Sequence, residues 1–316
     1  MCLGAVRNQI PEHLMNYYFA YGLTLVTDIV FPELHIIAPT ENPDIRVVIG
    51  ATPSAYTDIK KESESTISFD SDNYFLNIIN VGSYYVNAGN HVIIEPAANA
   101  DMKEVRLFFL SNAMAAILYQ RQMIPMHASA IYDNDGIVLF LGDSGAGKST
   151  TVASLQAKGY RIFSDDVCVP VPTPDGISAY AAYPMMKLWK DSFDLANIGD
   201  YEEELRIRPT MDKYGKLFNE SFDTRPMRIK RIFVLEKEDT GYLETRQVMG
   251  VQAFKYLQNY AYRLQYIEGM GVLKDYFQII SLLSNQIPTT VITRPNEVDT
   301  LDAILEYIEN LLEEKH

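Results

Sequence analysis

Chemically distinctive side chains are scarce in this chain: 2 cysteines, 5 histidines and 1 tryptophan among 316 residues. Cys2 and Cys168 are too few for a disulfide scaffold or a cysteine-rich zinc site, and so few thiols suit a reducing compartment. No long hydrophobic run exists either. The longest apolar stretch, residues 107–119, is shorter than a bilayer span and contains Ser111 and Asn112. It lies between Arg106 and Arg121 and reads as a buried helix. Residues 1–14 hold an arginine and a proline where a secretory signal needs an unbroken apolar core. The expectation is a cytoplasmic protein with no membrane partner. Positive charge is also short, with 27 basic residues against 41 acidic and a net charge of −14. That balance excludes a nucleic-acid-coating protein, which needs a basic footprint. Hydrophobic residues at 47% and charged residues at 22% leave an ordinary globular chain with no repeat or low-complexity segment.

The deficit of positive charge is uneven. Residues 1–125 hold 7 basic and 13 acidic side chains, and residues 296–316 hold 1 and 7. The middle, residues 126–295, holds 19 and 21, so an anionic ligand is expected there.

Residues 1–100 read as a β-rich region, with strands at 21–26, 45–49, 66–69, 74–79, 84–87 and 91–94 separated by turn residues. Asp101 can cap a connecting helix over 102–122, which Pro125 stops. Residues 126–316 form a third unit. Strands at 129–132 and 136–141 are joined by the hairpin signal Asn134-Asp135-Gly136. A glycine-rich loop, a helix to about residue 158 and a strand at 161–164 follow. This βαβ-like unit indicates an α/β core, α+β overall. Residues 166–235 carry several prolines and read as loops up to a strand at 229–235. Helices at 250–285, a strand at 289–293 and an acidic amphipathic helix at 299–313 complete the chain.

Gly142-Asp143-Ser144-Gly145-Ala146-Gly147-Lys148-Ser149 matches GxxxxGK[ST] in full. Glycines let successive backbone N–H groups converge on phosphate oxygens, and the following helix, beginning near Thr150, offers its positive end to the same anion. Lys148 would reach the β- and γ-phosphates, and the Ser149 hydroxyl would ligate Mg²⁺. ATP and Mg²⁺ are therefore the expected ligands.

Asp165-Asp166 end the apolar strand that follows. One carboxylate at such a position can complete the metal site, and a second can take the proton of an attacking hydroxyl. Side chains alternate along a strand, so the two cannot play the same part unless the strand has ended. His127 stands before the strand leading into the loop and can orient a carboxylate or touch phosphate. Lys187, Arg206 and Arg208 lie beyond the metal strand and are candidate cations for the transferred phosphoryl group. Lys213, Lys216, Arg225, Arg228, Lys230 and Arg231 follow as a further basic series. Motifs for guanine recognition, transport ATPases and protein kinases are absent.

His127, the GDSGAGKST loop and Gly159-Tyr160-Arg161-Ile162-Phe163-Ser164-Asp165-Asp166 together resemble the catalytic domain of bacterial HPr kinase/phosphorylase. The likeness covers residues 126–170 and fades towards 235. It implies a P-loop kinase core of the HPr kinase/phosphoenolpyruvate-carboxykinase-like type, with Asp165 as the base, Asp166 in the metal site and His127 near the base. It also implies a homo-oligomer. The family's Leu-Glu-x-Arg-Gly-Leu-Gly signature is missing, which removes support for HPr as substrate and for a phosphorylase reaction. Tyr21-Gly22-Leu23 and Phe31-Pro32-Glu33-Leu34 ahead of the core resemble HPr-kinase-related proteins of peptide-tailoring clusters. Some of those phosphorylate the C-terminal serine of a lasso-peptide precursor. The expected activity is a serine kinase acting on a peptide or protein. A kinase for a small molecule such as free serine, or a non-catalytic nucleotide-binding regulator, is the alternative.

Overall fold

The computed structural model describes residues 15–60, 64–134, 136–196, 199–208, 211–218, 222–239, 241–296 and 299–313. The chain is a mixed α/β protein with several sheets.

The N-terminal region is an eight-stranded sheet. Its strands are β1 (Asn16–Ala20), β2 (Leu23–Thr27), β3 (His35–Ile36), β4 (Ile45–Ile49), β5 (Thr66–Phe69), β6 (Asn73–Ile78), β7 (Gly82–Asn87) and β8 (His91–Pro96), in the order β3-β1-β2-β4-β8-β7-β6-β5. The strand expected at 21–26 begins two residues later. Tyr21 and Gly22 have φ values of 58° and 81° and make the tight turn between β1 and β2.

The connecting helix forms as α1 (Met102–Phe108), a π-helical stretch (Phe109–Ala113) and α2 (Met114–Gln120). The Asp101 side chain accepts from the Lys103 N–H at 2.8 Å, the expected cap. Met114 to Tyr119 are all buried, because this rod lies between the N-terminal sheet and the rest of the chain. Tyr84 and Tyr21 donate to its carbonyls at Val105 and Leu110, and Tyr119 donates to the Tyr262 carbonyl. Buried phenols are thus satisfied by backbone acceptors.

The remaining strands are β9 (Ala128–Asp133), β10 (Gly136–Gly142), β11 (Ile162–Ser164), β12 (Cys168–Thr173), β13 (Gly176–Ala181), β14 (Met185–Trp189), β15 (Arg206–Arg208), β16 (Met211–Leu217), β17 (Met227–Glu238), β18 (Glu244–Val248) and β19 (Thr289–Pro295). Helices α3 (Lys148–Ala157), α4 (Lys190–Ala196), α5 (Val251–Leu257), α6 (Tyr266–Gly269), α7 (Leu273–Gln286) and α8 (Leu301–Glu313) accompany them. The second sheet runs β11-β9-β10-β17-β13-β12, with β19 on β17 and β18 on β19. A small sheet, β14-β16-β15, stands apart. Asp135, in the expected hairpin, lies outside the described residues, but Asp133 pairs with Gly136 across that turn.

Directions within the second sheet locate the functional edge. β10, β17 and β19 are parallel neighbours. β9 is antiparallel to both β10 and β11, so β10 and β11 point the same way with β9 between them. The ends of β10, β11 and β19 and the start of β9 therefore share one edge. β10 is buried on both faces: Ile137, Leu139 and Leu141 join the larger apolar cluster, while Val138 and Phe140 join the smaller one under α3 and α8. The larger cluster runs without a break from the N-terminal sheet through the connecting helix into this core.

Residues 166–235 hold five strands where loops were expected. Pro170 and Pro172 suggested loop, yet β12 is the last strand in its sheet, where a missing N–H leaves no ladder bond unmade. No helix among the described residues is long and apolar enough to cross a membrane.

Ile117 is fully buried in α2 within the shared cluster. Ile117→Ala is expected to lower stability by about 2–5 kcal/mol. Urea unfolding followed by tyrosine fluorescence and by far-UV circular dichroism should show the same shift, because both regions rest on this helix.

Candidate active site

At that edge lies a cavity of about 360 Å³, within the roughly 300–1,000 Å³ range of small-molecule sites. Its floor is the loop joining β10 to α3. Gly142 has φ 151°, and a Cβ there would meet the Leu235 carbonyl oxygen at 2.4 Å, so only glycine lets β10 leave the sheet at this point. Gly147, at φ 107°, turns the chain into α3. Asp143, Ser144, Gly145, Ala146, Gly147, Lys148, Ser149 and Thr150 all line the cavity. Gly142 does not; its carbonyl lies behind and accepts from Lys148 Nζ at 2.5 Å. Lys148 also donates to the Asp143 carbonyl at 3.1 Å. Burial lowers its proton affinity, an effect that nearby Asp165 and Asp166 oppose.

The two aspartates separate as soon as β11 ends. Asp166 has φ 71°, a left-handed conformation that Asp tolerates better than most residues. This kink sends neighbouring carboxylates to different places. Asp165 is only 2% exposed, although it too lines the cavity. Its Oδ1 accepts from Ser129 Oγ at 2.6 Å and from Ser149 Oγ at 3.0 Å, and its Oδ2 accepts from the Lys187 backbone N–H at 2.8 Å. Asp166 faces the cavity, where its Oδ2 accepts from Lys187 Nζ at 2.8 Å. His127 Nδ1 lies 2.9 Å from the Asp166 carbonyl oxygen and 3.4 Å from its Oδ1. A carbonyl can only accept, so Nδ1 carries the proton.

The geometry separates the pair by their partners, with both carboxylates lining the cavity. Asp165, taken as the base, is the carboxylate bonded to the metal-type hydroxyl of Ser149. Asp166, taken as the metal ligand, is the one beside His127 and open to the cavity. Adjacency in sequence could not sort them, because the left-handed residue that does so is a backbone feature.

The electrostatics follow. Burial pushes the Asp166 carboxyl up, but the Lys187 ammonium and His127 outweigh it and hold it well below the usual carboxylate range. Burial alone would depress Lys187, yet Asp166 holds it well above the ordinary lysine value. Burial depresses His127, against the pull of Asp166, so it stays neutral near pH 7. Lys187 reaches the cavity because β14 places Met185, Lys187 and Trp189 on one face, with Met186 and Leu188 buried behind.

Arg206 and Arg208 are corrections. They lie on β15, two strands from β14, and neither lines the cavity. Arg206 pairs with Glu203 and Asp212, each at 2.8 Å. Arg208 pairs with Glu104 of α1 at 3.0 Å and covers the Phe108 ring, so both brace the small sheet. Two other cations take the cavity positions. Lys213, opposite Trp189 in the β14–β16 pairing, sits over the indole. Arg294, at the end of β19, donates to the Ala146 carbonyl at 3.2 Å. Lys213 was visible only as one of a basic series. Arg294 directly follows the strand read at 289–293, and a cation at the end of a core strand was its signal. Ser129 also went unread, although it shares a strand face with His127. Of the remaining histidines, His35 and His91 belong to the N-terminal sheet, and His13 and His316 lie outside the described residues.

Among the described residues no group of three or more His, Cys, Asp or Glu side chains could hold a metal by itself, so any cation here would depend on a ligand's own oxygens. Ser149 donates its proton to Asp165, which leaves the hydroxyl lone pairs facing the cavity. Oxygen ligands of this kind, few in number, match Mg²⁺ held mainly by phosphates and water.

Asp166 adds stability above the usual aspartate value, near pH ~3.9, and loses it as pH falls through its lowered folded value. Lys187 adds stability below about pH 10.4 and loses it as pH rises through its raised value. Between pH ~5 and ~9 neither group changes charge. Asp166→Asn, which leaves the Lys187 ammonium buried without its carboxylate, should cost about 3–5 kcal/mol at pH 7, and the deficit should shrink below pH ~4. Urea midpoints of both proteins across this range check it. No family model matches the chain, and no curated protein matches it.

Proposed function

We propose that the chain is an ATP- and Mg²⁺-dependent kinase that phosphorylates a serine hydroxyl of a peptide or protein, built on a P-loop kinase core. The observation that carries this reading is one cavity holding a full GxxxxGK[ST] loop, a Ser149–Asp165 pair and a second, open carboxylate ion-paired to Lys187. A nucleotide-binding regulator needs the first two features and has no use for the third.

Lone-pair accounting separates the carboxylates. A carboxylate offers about four acceptor sites. Asp165 has three occupied, one of them by Ser149, and is only 2% exposed, which leaves it less free than Asp166 to take an acceptor's proton. Asp166 has capacity left and faces the cavity. Mg²⁺ would be held by Ser149, with Asp165 behind it accepting the Ser149 proton, and would neutralise charge on the β- and γ-phosphates. Lys148 exchanges its carbonyl partners for phosphate oxygens. Arg294 stands against the loop carbonyls, where it adds a second cation beside the polyphosphate.

In the transfer step the serine oxygen bonds to the γ-phosphorus as the bond to the β–γ bridging oxygen breaks. The hydroxyl proton passes to Asp166, and ADP leaves with the released electron pair. Lys187 keeps Asp166 anionic, so it accepts a hydrogen bond from the hydroxyl before transfer and the proton as the new bond forms. A loose transition state asks little basicity of it. Exposed Trp189, beside Lys213, offers an apolar surface to a peptide at the cavity mouth. The finer assignment, the C-terminal serine of a lasso-peptide precursor, rests on the sequence resemblance alone.

Asp166→Asn should lower phosphoryl transfer by about 10²–10⁴-fold and leave nucleotide binding intact. Asp165→Asn should instead weaken Mg-nucleotide binding. Mass spectrometry of serine-ended peptides incubated with Mg-ATP, beside calorimetric binding of ADP, reads both; full transfer by Asp166→Asn rejects the assignment. Arg294→Ala should raise the ATP KM by about 10-fold, the loss of one charge-assisted contact. Arg206→Ala should leave kcat and KM unchanged in the same steady-state assay, since it lies outside the cavity.

A further inference from the structure

Ser129 is unclaimed by the reaction just described, yet it makes a short contact in the site. It is fully buried on β9, and its hydroxyl donates to Asp165 Oδ1 at 2.6 Å. The same oxygen accepts from Ser149 at 3.0 Å. A buried hydroxyl at the start of a strand has cheaper partners in the backbone; this one is aimed at a carboxylate.

We infer that Ser129 is a positioning residue for the metal site: it fixes the Asp165 carboxylate so that Ser149 keeps its proton towards Asp165 and its lone pairs towards Mg²⁺. The inference rests on the proposed kinase reading. Three donors from three elements hold Asp165: Ser129 from β9, Ser149 from α3 and the Lys187 N–H from β14. With Ser129 present both lone pairs of Oδ1 are filled, and the only unfilled site is on Oδ2. With Ser129 absent, Oδ1 is free to rotate away from Ser149 or to take the cation itself. Ligand-supporting hydrogen bonds of this kind commonly carry about 10–100-fold in metal affinity.

The placement is economical in sequence. His127 and Ser129 are two residues apart, on one face of an extended segment, and serve Asp166 and Asp165 respectively. Two alternate residues thus hold two adjacent aspartates, Ser129 by the Asp165 carboxylate and His127 by the Asp166 backbone carbonyl, where the chain turns left-handed. The pattern His-x-Ser before the loop strand and Ser-Asp-Asp after the loop helix is its signature in this chain.

The test uses the full chain with ADP and Mn²⁺, whose electron paramagnetic resonance reports bound metal directly. Ser129→Ala should bind ADP without metal as the unsubstituted protein does, and should bind Mn²⁺ in the ADP complex about 10–100-fold more weakly. Ser129→Thr, which restores the hydroxyl, should recover most of that loss. Equal Mn²⁺ affinity in Ser129→Ala overturns the inference. So does an equal loss of ADP binding with and without metal, which would mark a collapsed loop. The unsubstituted protein separates this from the underlying reading: if its ADP binding takes up no Mn²⁺, the metal site itself is wrong and the inference goes with it.

Discussion

The antiparallel insertion of β9 between β10 and β11 is the constraint on which the site depends. Parallel strands deliver their C-terminal ends to one edge, which is where open α/β sheets place ligands. That arrangement alone supplies loop residues, the aspartates and Arg294. It cannot supply the start of a strand. Reversing one strand between two parallel ones brings His127 and Ser129 to the same edge, opposite the carboxylates they contact.

Charge in the site is organised rather than abundant. A chain with net charge −14 holds Lys148, Lys187, Lys213 and Arg294 around one cavity, with four aspartates, Asp143, Asp165, Asp166 and Asp299, on the same lining. The cations do different work because their partners differ. Lys187 is locked to Asp166, Lys148 and Arg294 rest on backbone carbonyls, and Lys213 lies over an indole. A cation bonded to carbonyls gives them up readily to phosphate; one paired with a buried carboxylate does not. This division follows from what each lysine or arginine touches, and composition says nothing about it.

The N-terminal sheet is joined to this site through packing. Tyr21 stands edge-on to Tyr183, whose ring lies beneath the Lys187 ammonium. The connecting helix braces β15 through Lys103 and through the Glu104–Arg208 pair. Arg208 therefore contributes to the wall that carries Lys187 without approaching the cavity. A basic residue after a presumed metal strand is equally consistent with catalysis and with bracing, and only the identity of its partner distinguishes the two.

Much of the local structure was legible. The cap at Asp101, the loop from Gly142 to Ser149, the helix after it and the strand at 289–293 follow from turn chemistry, apolar runs and spacing. The strands from 168 to 217 were not, because proline content marks loops unless the strand lies at a sheet edge. Asp165 and Asp166 were recognisable as a pair, but the different partners each holds were not, since they follow a positive φ at Asp166. The sequence by itself determined which chemical groups are available and which short segments present them, for these depend on neighbours within a few residues. Only the tertiary structure decided which cations face the cavity, what each aspartate bonds to and that Ser129 lines the same cavity, because each depends on strand direction and on contacts between segments tens of residues apart.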